Sequence, residues 1–151
     1  KLYESSVIND YITEKYDFPD AYHRDAYPRA RQRLAMLQWD EVVLRLYYKT
    51  LGNPEGLDPD ITDKIGRELD ELQDTIGLTS GVENLMGFHF APFWARMSWL
   101  RHLTGMPALI DQRPELRAWL DQAVTLPAVQ KTLPDREPLV KSYEERFAGT
   151  R

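Results

Sequence analysis

The segment LMGFHFAPFWARMSWLRHL, residues 85–103, is the densest run of large apolar side chains in the chain. On a helix that turns about 100° per residue, one side of the segment collects Phe90, Phe93, Trp94, Met97 and Leu100. Other apolar residues fall on the remaining sides, and such a helix must be surrounded by other elements. Arg96 and Arg101 make the segment too charged to cross a membrane. We therefore predict the buried central helix of an all-α helical bundle, with Pro92 in its first turn.

The composition of the 151 residues fits one globular domain and narrows the range of partners. The formal net charge of −5 argues against a general role in binding nucleic acid or a membrane surface. The chain contains no cysteine, so its residues form no disulfide, thiolate metal site or cysteine nucleophile. This composition fits a cytoplasmic location, and we expect neither a nucleic-acid nor a membrane partner.

Helical periodicity continues through the rest of the chain, and no segment shows the alternation of a strand. Ser5 is the expected cap of a first helix that stops near Lys15, and Gly52 closes a long second helix that begins after Asp25. The second helix is apolar round most of its circumference, which indicates core on one side and a ligand or partner subunit on the other. The remaining helices are predicted at about 60–76, 106–113, 114–124, 128–132 and 137–147.

The order of several short motifs resembles that of a glutathione transferase. Residues 2–16, LYESSVINDYITEKY, are similar to the L-x-E-S-x-x-I-x-x-Y segment that joins the two halves of that family. Further similar motifs follow in the family's order, namely R-A-R-Q-R at 29–33, L-M-G at 85–87 with Phe90, P-E-L at 114–116 with Trp119, and L-P-A-V at 126–129. The resemblance covers nearly the whole chain and implies a bundle like the C-terminal domain of these enzymes.

The resemblance also implies a domain organisation. Residues 1–16 correspond to the end of a truncated thioredoxin-like N-terminal domain, and residues 17–151 correspond to the all-α C-terminal domain. In this family, the residue that activates the glutathione thiol lies in the part of the N-terminal half that has no counterpart in this sequence. We therefore expect this chain alone to be inactive. The family's Ser/Thr-x-x-Asp box before the central helix is replaced by Ala91 and Trp94. The sequence therefore predicts either that the central helix starts around Pro92 or that the protein is a divergent member of the family.

The function implied by the resemblance belongs to the intact protein. It would use glutathione as co-substrate and conjugate or exchange it with a hydrophobic electrophile, without a metal, as a homodimer. The alternative is a non-enzymatic interaction protein of the same fold, similar to the stringent starvation proteins or to the gamma subunit of translation elongation factor. The replaced Ser/Thr-x-x-Asp box and the strongly apolar second helix favour this alternative.

The candidate site residues follow from the same resemblance. Glu4 and Ser5 are expected to bind the γ-glutamyl end of glutathione, and the alternative is an ordinary helix start capped by Ser5. A pocket for the electrophile is expected along the second helix, and the alternative is plain core or dimer contact. The pocket residues are Met36, Trp39, Val43, Tyr47 and Tyr48.

The remaining polar candidates are weaker. The three histidines, His23, His89 and His102, lack metal-ligand spacing, and His89 fits a core histidine. The basic cluster Arg29, Arg31 and Arg33 fits either a solvated face or a contact with glutathione or the partner subunit.

Overall fold

A computed structural model describes residues 4–18, 20–53, 57–79 and 81–148, and the regular structure in these ranges is helical. An isolated bridge between Asn53 and Thr104 is the only β pairing in the described ranges. The all-α fold class is therefore confirmed. The α-helices are α1 (Ser5–Lys15), α2 (Ala26–Gln38), α3 (Arg45–Thr50), α4 (Pro59–Ile76), α5 (Leu85–Trp99), α6 (Met106–Asp111), α7 (Pro114–Val124), α8 (Pro127–Gln130) and α9 (Arg136–Phe147).

Helix α5 is the centre of the bundle, as its sequence predicts. It contacts α2, α6, α7 and α8, and a 3₁₀ turn (Arg101–Leu103) follows it. The Phe90 ring lies 4.8 Å from the Trp39 ring, and the Trp94 indole N–H donates a 2.7 Å hydrogen bond to the Asp121 carboxylate of α7. Apolar side chains therefore surround α5 while the polar group of its buried tryptophan has a partner.

The start of α5 differs from the prediction. The Asn84 side chain accepts a 3.1 Å hydrogen bond from the Gly87 N–H, which caps the helix and begins it at Leu85. Pro92 consequently lies inside the helix rather than in its first turn, and the prediction of a start at Pro92 is wrong. The helix tolerates this proline although its missing N–H leaves one turn without a backbone hydrogen bond.

Helices α2 and α3 are two parts of one continuous rod. A π-helical segment (Trp39–Leu44) joins them, and Gly52 follows the rod with a φ of +89°. This confirms the long second helix and its left-handed closing glycine. Leu34, Leu37 and Tyr48 remain exposed on the rod. The apolar side chains buried on it are Ala35, Met36, Trp39, Val43, Leu44 and Tyr47.

Helix α1 is attached to the body mainly through a polar cluster. The Tyr22 hydroxyl donates a 2.6 Å hydrogen bond to the Asp10 carboxylate, and an Arg33 nitrogen lies 3.4 Å from the same carboxylate. Burial first, and then the hydrogen bond to Asp10, raise the pKa of Tyr22 to about 12, so its hydroxyl remains a donor at neutral pH. Val7, Tyr11 and Ile12 are exposed apolar side chains of α1, and Tyr16, directly after the helix, is exposed as well.

The described helices also bear on the membrane question. None of them combines the length and the apolar character needed to cross a bilayer.

Candidate functional site

A cavity of about 430 Å³ separates the first turns of α1 from α5 and the π-helical segment. We refer to it as the α1–α5 cavity. Its apolar wall comes from α5 and consists of Leu85, Phe88, Pro92 and Phe93. Its polar lining comes from α1, the π-helical segment, α5 and the turn after α8, and it consists of Ser5, Asn9, Asp40, His89, Arg96 and Thr132. The volume lies in the range that binds small molecules, and the mixed lining suits a ligand with polar and apolar parts.

The first predicted site residues, Glu4 and Ser5, lie where the chain enters α1. Glu4 has a φ of +72° and a ψ of 118°, a conformation that is rare for a residue with a side chain. The Glu4 carbonyl accepts a 3.0 Å hydrogen bond from the Ile8 N–H, so Glu4 occupies the cap position and Ser5 is the first helical residue. The prediction of Ser5 as the cap is therefore wrong by one residue.

The corrected position leaves Ser5 available to a ligand. No side-chain hydrogen bond caps α1, and Ser5 lines the α1–α5 cavity with an exposed side chain. The first N–H groups of a helix have no partner within the helix, and they favour an anion. Ser5 therefore presents a hydroxyl beside the start of a helix at the edge of a cavity.

His89 forms a polar pair with Asp40 across the same cavity. Its Nε2 atom lies 3.0 Å from the Asp40 Oδ1 atom, and its ring packs against Phe90 and Phe93 at 5.4 and 6.1 Å between centroids. The His89 side chain is mostly buried, whereas Asp40 is about half exposed. His89 thus has a hydrogen-bond partner, as expected of a core histidine, but it also lines the α1–α5 cavity.

Arg96 contributes a cationic group to the cavity. Its Nε donates a 3.2 Å hydrogen bond to the Pro92 carbonyl, and its guanidinium lies 5.3 Å from the centre of the Phe93 ring. In the described part of the chain no carboxylate lies within ion-pair distance of Arg96. The terminal nitrogens of this guanidinium are therefore available to an anionic ligand.

The residues predicted to form an electrophile pocket on the second helix do not line the α1–α5 cavity. Met36, Trp39, Val43 and Tyr47 are buried in the core, where Trp39 packs on α5, and none of them lines a described cavity. Tyr48 is 49% exposed and does not line the α1–α5 cavity. Core contact, the alternative left open by the sequence, describes the first four positions. The physical reason is that α5 covers this side of the rod.

Tyr47 is nevertheless unusual among these core residues. Its hydroxyl is buried and has no hydrogen-bond partner in the described ranges. Burial is the main cause that raises the pKa of Tyr47. The nearby Arg96 lowers this pKa, but its effect is the smallest of those acting on the hydroxyl. The hydroxyl therefore stays protonated and cannot serve as a base at neutral pH.

The three basic residues of the predicted cluster have separate roles. Arg31 donates to the Thr75 hydroxyl of α4 at 3.2 Å, and Arg33 reaches Asp10 of α1. Arg29 is exposed. Arg31 and Arg33 therefore connect helices, while Arg29 and Arg33 also line one cavity of about 530 Å³.

Asp40 and Arg96 were missed by the sequence reasoning, although one signal was present. His89, Phe93 and Arg96 are spaced at i, i+4 and i+7, which places them on one face of a helix. Asp40 carried no such signal, since it meets His89 from 49 positions away in the sequence.

A larger cavity, of about 580 Å³, lies elsewhere, between the 20–25 loop and the loop before α5. Around His23, the ring Nδ1 accepts a 3.0 Å hydrogen bond from the Asp25 N–H, and the backbone N–H of His23 donates a 2.8 Å hydrogen bond to the Gln32 side chain. None of the predicted site residues lines it. Within the described ranges no group of acidic or histidine side chains is arranged to hold a metal ion.

These observations define an all-helical protein with a partly polar cavity between its first helix and its central helix. In comparisons with known proteins, no family matches the chain, and no curated protein matches it with significant similarity. The function is therefore inferred from the cavity and from the resemblance of the sequence motifs.

Proposed function

We propose that this chain is the helical part of a glutathione transferase-like protein in which Glu4 and Ser5 bind glutathione. The intact protein conjugates glutathione to a hydrophobic electrophile or exchanges it with a disulfide. The observation that carries this proposal is the strained Glu4 backbone directly before Ser5, at the edge of the α1–α5 cavity. A residue with such a φ and ψ costs roughly 1–3 kcal/mol, and strain of this kind is concentrated at ligand sites.

The chemistry of the γ-glutamyl group suits this position. Its carboxylate can accept hydrogen bonds from the Ser5 hydroxyl and from the free N–H groups of the first turn of α1. Its ammonium group carries the opposite charge to the Glu4 carboxylate beside it. The start of α1 therefore offers one complementary group to each end of an amino acid.

The electrophile is assigned to the apolar wall of the same cavity. Phe88 and Phe93 are half-buried there, whereas most of the residues expected along the second helix are buried in the core. Two reactants held in one cavity react faster because the entropy of bringing them together has already been lost on binding. The proposal thus places glutathione at the α1 side and the electrophile at the α5 side.

The Ser5→Ala variant is expected to bind glutathione about tenfold more weakly than the wild-type chain. Loss of a hydrogen bond to a charged group is worth about 1.5 kcal/mol, which corresponds to roughly that factor. Isothermal titration calorimetry of the 151-residue chain measures this effect. Ser142→Ala, on the exposed surface of α9, is the matched control and should bind like wild type. Equal weakening by both variants, or by neither, would contradict the assignment of Ser5.

An interaction protein of the same architecture is the second candidate, and the exposed face of α1 favours it. Val7, Tyr11 and Ile12 are all close to half exposed on this helix, which is the kind of surface that a partner covers. The exposed leucines of α2 likewise support a homodimer. A protein with only the interaction role would give no heat of glutathione binding in the same titration.

A further inference from the structure

We propose that the α1–α5 cavity binds an aromatic carboxylic acid, with the carboxylate on Arg96 and the ring against Phe93. As a description of the electrophile, this inference rests on the proposed function, because it assigns an acidic aromatic class to that ligand. The binding step itself requires only the cavity. The two can therefore be tested separately.

The state of Arg96 is the first observation. This half-buried guanidinium uses its Nε in a bond to the Pro92 carbonyl, and no carboxylate of the described residues neutralises it. Arg113 and Arg117 differ from it, since Arg113 meets Asp70 at 2.6 Å and Arg117 meets Asp111 at 2.8 Å. A carboxylate entering the cavity would supply the missing countercharge through two parallel N–H···O bonds.

The aromatic wall is the second observation. Phe88 and Phe93 line the cavity and are half-buried, so a flat apolar ligand can cover surface that is still in contact with water. The Arg96 guanidinium lies 5.3 Å from the centre of the Phe93 ring, which puts the charge next to the apolar surface. A volume of about 430 Å³ accommodates a ligand of two fused rings.

The Asp40 carboxylate lies in the same cavity and would repel an anionic ligand, which gives a second way to test the proposal. Its carboxylate is held by His89 at 3.0 Å, so its charge is only partly offset. If a carboxylate binds near Arg96, removal of the Asp40 charge must tighten it. An Asp40→Asn variant keeps an oxygen that can accept from His89, so the pair is retained while the charge is removed.

The experiment measures the dissociation constants of 2-naphthoate and of its neutral isostere 2-naphthamide with the 151-residue chain. Arg96→Gln is expected to weaken 2-naphthoate about tenfold and to leave 2-naphthamide nearly unchanged. Asp40→Asn is expected to tighten 2-naphthoate severalfold, which keeps the test decisive if Arg96→Gln does not fold. Arg146→Gln is the matched control, because that guanidinium also lies over a neighbouring phenylalanine ring but outside the cavity.

The outcomes separate this inference from the proposed function. It is overturned if wild type does not bind 2-naphthoate at millimolar concentration, if it prefers the amide, or if the Arg96 and Arg146 variants bind alike. Binding of 2-naphthoate that depends on Arg96, in a chain that does not bind glutathione, supports the acid site and rejects the proposed function. Glutathione binding without 2-naphthoate binding gives the opposite result.

Discussion

Replacement of Phe90 by alanine is expected to lower the free energy of unfolding by about 4 kcal/mol. Phe90 is fully buried in α5, and its ring lies 4.8 Å from that of Trp39 and 6.3 Å from that of Trp119. The side chain therefore connects the central helix to the π-helical segment on one side and to α7 on the other. Truncation removes apolar contacts to both neighbours and leaves a cavity that the rigid helices fill only in part.

Urea denaturation followed by far-ultraviolet circular dichroism measures this loss. A domain of this size is stable by only about 5–15 kcal/mol, so the variant should show a large shift of the unfolding midpoint. The control is Tyr27→Ala in α2, where the ring is 70% exposed and the expected change is below about 0.5 kcal/mol. Similar midpoints for the two variants would show that α5 is not the centre of the core.

Replacement of Gly87 by alanine is expected to lower the free energy of unfolding by about 3 kcal/mol. A Cβ atom at this position would overlap the Val82 carbonyl oxygen, which belongs to the backbone of the loop before α5. That loop cannot move freely, because Asn84 caps the helix through the Gly87 N–H. The clash therefore has to be relieved by displacing the start of the central helix.

Gly66→Ala is the matched control in a helix interior. Its Cβ would lie 3.4 Å from an Arg113 side-chain nitrogen, which is ordinary van der Waals contact. Alanine is the better helix former, so this variant should gain roughly 0.5 kcal/mol. Chemical denaturation of both variants gives the comparison, and equal effects at the two glycines would refute the close approach at Gly87.

The sequence was sufficient for the helices and for the centre of the bundle, and the reasons are physical. Apolar side chains on more than one side of residues 85–103 require burial, and Gly52 is the residue that tolerates a φ of +89°. The start of α5 was harder, because Pro92 is a good signal for a first turn, whereas the structure caps the helix with Asn84. The hydrogen bond from the Gly87 N–H to the Asn84 side chain fixes this start, and it is visible only in three dimensions.

The site was predictable only in part. A helix that is apolar round most of its circumference does not reveal which side faces the core, so Trp39 and Tyr47 fitted both pocket and core. The π-helical segment further changes the phase of the side chains along this rod. Asp40 and His89 come together through packing between distant segments, which a local pattern cannot indicate.

Amide-resolved NMR of the ¹⁵N-labelled chain during titration with glutathione tests most directly whether the start of α1 is a glutathione site. We expect the largest shifts at Ser5 and the following turn, with smaller shifts at His89 and Arg96 across the cavity. The absence of shifts at millimolar glutathione, or shifts confined to a region such as the loop around Asp111, would contradict the proposed function.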